Sequence, residues 1–108
     1  MEIQYYICNS SFPNKIQEVL RERGFFIESL PEVHKHTNRI HGAFSFRITK
    51  GSDTIRVLGV EDQSEFSFHM VEDPSEGEFS TGVSPEFYDE VEEIMLRNGA
   101  DLGEIQEL

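Results

Sequence analysis

From Ile40 the chain alternates bulky apolar and polar side chains, and it does so through three successive segments separated by short breaks. Ile40, Phe44, Phe46 and Ile48 fall on one face of an extended segment, and His41, Ser45, Arg47 and Thr49 on the other. "TKGSDT" is a hairpin turn signal. "TIRVLGVE" and "SEFSFHMV" supply two further strands, the last with Phe66, Phe68 and Met70 inward and Ser67 and His69 outward. A period of two does not suit a helix. Strands joined by short turns pair antiparallel, so this region predicts a meander with one apolar face that another layer must cover.

The covering layer is legible on either side. Phe12, Ile16, Val19 and Leu20 make one apolar stripe, opened by "NSSFP" with Pro13 in the first turn and stopped at Gly24. Ser84-Pro85-Glu86 opens a second helix that runs to Asn98, its stripe formed by Phe87, Tyr88, Val91, Ile94 and Met95. Ile3 to Cys8 reads as a strand with Ile3, Tyr5 and Ile7 on one face and Tyr6 and Cys8 on the other. Both faces look buried, which predicts a central strand. "FFIESL" (25–30) is another strand, and "ADLGEIQEL" (99–108, with Gly99) is expected to be a short tail of one or two helical turns. The order is β-α-β-β-β-β-α. It predicts a single α+β domain over 1–108: a roughly five-stranded, mostly antiparallel sheet with two helices on one face.

Length and composition agree. A chain of 108 residues holds one real core, and nine Phe and three Tyr supply bulk to a composition that is 37% apolar. No apolar run reaches the roughly 18 residues needed to cross a bilayer. If Met1 is the natural start, the absence of a basic patch followed by an apolar stretch argues against a secretory signal and predicts a cytoplasmic protein. A single cysteine, Cys8, excludes an internal disulfide framework.

Charge is the informative total. The formal net charge is −12, and it is unevenly placed. Residues 1–60 carry eight Lys/Arg against six Asp/Glu, whereas residues 61–108 carry Arg97 against fifteen acids. Fixed anions repel phosphates, so direct nucleic-acid binding by this half is disfavoured. Either the half is a solvated acidic surface or it meets a basic partner.

"EVHKHTNRIHG" (32–42) holds three of the four histidines. His34 and His36 project to one side of an extended segment, and His41 or Glu32 could complete a metal site. The neighbouring Lys35 and Arg39 oppose a cation, and a solvated loop is the favoured reading; no metal and no cofactor is expected. Cys8 starts "CNSS", which resembles the Cys-x-x-Ser of thioredoxin-like folds. The helix, however, begins about four residues later and the strand alternation buries the thiol, so a structural cysteine is expected. No glycine-rich phosphate loop and no Gly-x-Ser-x-Gly appears.

The second helix carries the remaining signal. Asp89, Glu90, Glu92 and Glu93 oppose its core stripe with Leu96 among them, and Glu76 and Glu78 extend the charge into the preceding acidic loop. Carboxylates that steer around an apolar anchor form a recognition surface for a basic protein. In the competing reading Leu102 or Ile105 folds back over Leu96. The expectation is a non-enzymatic module of the inhibitor or immunity-protein kind that engages a basic partner. The alternatives are a small ligand- or metal-binding domain or enzyme using His34, His36 and His41, and a homo-oligomer, for instance a homodimer, joining the sheet face of Arg47 and Arg56 to the acidic helix of another copy.

Overall fold

The computed structural model describes residues 2–29, 44–62, 65–72 and 84–107. They form β1 (Glu2–Cys8), α1 (Phe12–Glu22), β2 (Phe26–Ser29), β3 (Phe44–Lys50), β4 (Asp53–Asp62), β5 (Glu65–Glu72), α2 (Pro85–Arg97) and β6 (Asp101–Glu107). One antiparallel sheet runs in the order β2-β3-β4-β5-β1-β6, with both helices on one face. The described residues therefore form an α+β domain with six strands.

The meander β3-β4-β5 follows the alternation. Lys50 pairs with Asp53 across a two-residue turn, in which Gly51 takes φ +66°, a left-handed conformation that an L side chain resists. Phe46, Ile48, Ile55, Val57, Phe68 and Met70 all point to the helix side and are buried. β1 inserts between β5 and β6, so Tyr6 and Cys8 join that layer at 0% and 5% exposure. Phe12 of α1 stacks on Phe68 at 5.5 Å, and Phe25, just before β2, meets Phe87 of α2 at 5.9 Å. Aromatic pairs thus tie each helix to the same side of the sheet.

Gly59 in β4 faces this core, and the ring of Phe44 lies over it, so a Cβ at that position would fall 2.1 Å from Phe44 Cζ. The aromatic ring fills the space that the missing side chain leaves between β3 and β5, where it also meets Phe66 at 5.7 Å.

Two expectations need correction. The face of β1 bearing Ile3, Tyr5 and Ile7 is not a second core, because the helices cover only one side of the sheet. Ile3 and Tyr5 are half-buried and Ile7 is exposed. The 99–108 tail is not helical either. After Asn98 caps α2, residues 101–107 pair with β1 as an edge strand. Leu102 and Ile105 are spaced like one helical stripe, but a bulge explains that spacing. Tyr6 faces Leu102 and Gln4 faces Ile105, so Tyr5 alone on β1 opposes Gly103 and Glu104 on β6, and both apolar side chains fall on the same side of a strand. Among the described residues no helix is long and apolar enough to cross a membrane.

Candidate protein-binding surface

α2 is fixed at its start by side chains. Ser84 accepts a hydrogen bond from the Phe87 amide at 3.2 Å, and Pro85 and Glu86 suit the first turn. Asp53, at the β3-β4 turn, accepts from the Ser84 amide at 3.0 Å and from its hydroxyl at 3.2 Å. Lys50 of the same turn reaches Glu90 at 3.5 Å and lies 4.8 Å from the centre of the Phe25 ring. Phe87, Val91, Ile94 and Met95 are buried, which fixes which side of the helix faces outward.

The sequence-predicted residues then separate. Asp89, Glu90 and Glu93 are exposed, and Glu93 pairs with Arg97 one turn on at 2.7 Å. Glu92 does something else. The Tyr6 hydroxyl donates to Glu92 Oε2 at 2.5 Å, and the Tyr88 hydroxyl lies 3.1 Å from that of Tyr6. Tyr6 has one hydroxyl proton and gives it to the carboxylate, so Tyr88 is the donor in the second bond. The result is a chain, Tyr88 to Tyr6 to Glu92, joining α2 to the central strand. Burial, and then the bond to Glu92, pushes the Tyr6 phenol well above its usual range; burial raises Tyr88 as well.

Leu96 is half-buried and packs against the core. The exposed apolar side chains near the acidic helix are Leu102 at 60% and Ile105 at 58%, which the sequence suggested only as covers for Leu96. Cross-strand neighbours share a face, so Leu102, opposite Tyr6, lies on the helix side of the sheet, and Ile105, opposite Gln4, lies there too. α2 and β6 therefore flank Tyr6 from two sides. Residues 84–107 hold eight acids and one base, Arg97. The signal for Leu102 and Ile105 was present in the sequence as an apolar pair around Gly103, but it read equally well as helix.

The other face of the sheet carries a trough of about 380 Å³ at the same edge, lined by Tyr5, Ile7, Glu65, Ser67, Glu104 and Gln106. His69 borders it, half-buried with its ring 5.1 Å from that of Tyr5, and burial lowers its pKa. Further along this face Arg47 pairs with Glu28 at 2.6 Å. Cys8 is buried, and burial raises its thiol to about 11.

Glu76, Glu78, His34, His36 and His41 lie outside the described residues. Among the described residues no three His, Cys, Asp or Glu side chains gather closely enough to hold a metal ion. Comparison with protein-family models, with curated proteins and with solved structures finds no match.

Proposed function

We propose that the chain is a non-enzymatic binding module, of the inhibitor or immunity-protein kind, that engages a basic partner protein through its acidic C-terminal half. The observation that carries this reading is that α2, with the exposed acids Asp89 and Glu93, and β6, with the large exposed side chains Leu102 and Ile105, flank Tyr6 on the same side of the sheet. Carboxylates of one sign raise the local concentration of a cationic partner and speed its approach by ~10- to 1000-fold at low salt. Apolar contact supplies the slow dissociation that charge alone does not. The anchors in this reading are Leu102 and Ile105, while Leu96 packs against the core.

Capture from cell extract at low and at raised salt, with identification of the bound protein, tests the reading. A basic protein is expected, and the double change Asp89→Lys with Glu93→Lys slows its association by at least about tenfold. Glu92 is left intact in that variant because Tyr6 depends on it. Capture that is indifferent to both salt and charge reversal reduces this surface to a solvated one and removes the inhibitor reading.

A further inference from the structure

Among the described residues β6 ends the sheet: β1 pairs with one of its edges, and no described strand lies on the other. Every residue of β6 except Gly103 is exposed. An edge of this kind presents backbone N–H and C=O groups that can pair with another chain. Proteins blunt it with charged side chains, proline, bulges or short length, so the bulge and charges of β6 restrict what can pair there. β6 has seven residues and neither proline nor lysine. What it does carry is negative charge at three evenly spaced positions, Asp101, Glu104 and Glu107.

That spacing selects the occupant. A second copy pairing antiparallel about Glu104 would set Glu104 against Glu104, and like charges directly opposite destabilise a strand pair. Asp101, opposite Ile7, and Glu104 lie on the face away from the helices, so a strand with a basic row on that face would meet two complementary partners instead. The two faces of the edge add a second requirement. On the helix side the bulge aligns Leu102 and Ile105, which are largely exposed. On the other side lies the trough floored by Tyr5 and Ile7, with Glu65 and Glu104 at its rims. Side chains of an added strand alternate between these faces.

We propose that the basic partner docks by strand addition: an extended segment alternating apolar and basic residues pairs with the outer edge of β6, its apolar row beside Leu102 and Ile105 and its basic row beside Asp101 and Glu104 at the outer rim of the trough. The proposal rests on the basic-partner reading and specifies its mode. Main-chain bonds give such docking its affinity, and the alternate side chains give it selectivity. The acids of α2 steer the segment, while β6 holds it. Seven added residues would span about 23 Å, the length of β6 itself.

The test uses the whole chain and two labelled ten-residue peptides of equal charge, one alternating Lys and Val and the other alternating Lys and Pro. Proline cannot donate to a ladder, so the pair separates strand addition from charge attraction. At low salt the Lys/Val peptide is expected to bind at least about tenfold tighter than the Lys/Pro peptide, the equivalent of a few main-chain bonds. Its binding should also slow amide exchange along Asp101–Glu107 more than along α2. Ile105→Lys, at an exposed site, should lower Lys/Val affinity by about tenfold and leave the melting temperature unchanged within about 2 °C. Equal, salt-sensitive binding of both peptides overturns strand addition and leaves the acidic surface as a binding face. Binding of neither peptide overturns strand addition together with the basic-partner reading of this surface. A concentration-dependent dimer abolished by Ile105→Lys gives the edge to a second copy and likewise overturns the proposal.

Discussion

Tyr6 is fully buried, yet its hydroxyl reaches a carboxylate on one side and another phenol on the other. Removing that oxygen strands both neighbours, because the Glu92 carboxylate and the Tyr88 hydroxyl each lose a partner in a partly dry setting. Tyr6→Phe is therefore expected to destabilise the protein by about 1–3 kcal/mol, measured by denaturant unfolding at neutral pH. The raised phenol adds a pH signature. A group held protonated in the folded state gives stability that is present below its unfolded pKa, about 10, and is lost as pH rises beyond it. Tyr6→Phe should flatten the alkaline decline in stability, and an unchanged slope would show that the phenol ionises freely in the fold. Cys8 follows the same rule at a lower pH. Its thiol moves from 9.0 to about 11, so its contribution is present below pH 9 and fades as pH rises through about 11. Native Cys8 should react with a thiol reagent far more slowly than the unfolded chain does. Labelling as fast in buffer as in denaturant would contradict its burial.

At the scale of elements, the sequence was readable wherever a single period ran unbroken. Phe66, Phe68 and Met70 alternate cleanly with Ser67 and His69, and the structure puts the first set inward. Ser84-Pro85 announced the start of α2, and the serine caps it. β6 was not readable for a local reason. A bulge adds one residue, so the strand-side pair Leu102 and Ile105 copies the i, i+3 spacing of a helix, and seven residues are too few for periodicity to decide. The role of Glu92 was hidden for a different reason. Nothing in "YDEVEE" distinguishes one acid from the next until β1 brings the Tyr6 hydroxyl beneath the helix. Gly59 belongs to this scale as well, since its neighbour lies on the adjacent strand. Gly59→Ala would drive a methyl group into the Phe44 ring, and that ring cannot retreat without leaving Phe66 and Phe68. A loss of about 1–3 kcal/mol is expected in chemical denaturation. Pairing Gly59→Ala with Phe44→Leu should recover part of it, and no recovery would place the strain in the backbone rather than the ring.

At the scale of the whole molecule, the charges oppose the fold that displays them. Fifteen acids in residues 61–108 face a single Arg97, and eight of them lie in the 84–107 stretch that forms α2 and β6. Like charges held within a Debye length of ~8–10 Å repel, so the isolated protein should melt at a higher temperature when salt is raised. Capture of a basic partner should respond in the opposite sense, because the same ions screen the attraction that speeds encounter. The two responses share one cause and can be read on one variant. Asp89→Lys with Glu93→Lys shifts the net charge by four positive units at exposed positions, leaving the Glu92 carboxylate that holds Tyr6 and the core stripe untouched. The variant should melt higher than the parent at low salt and show a smaller rise in melting temperature as salt is added. It should also associate more slowly with the partner at low salt, and the difference should shrink as salt rises. Glu93 does lose its surface pair with Arg97, but exposed pairs of this kind contribute only about 0.3–0.5 kcal/mol. A variant that melts lower at every salt concentration would mean that the acids are held in stabilising contacts within the chain, and a surface built that way has no repulsion for a partner to relieve.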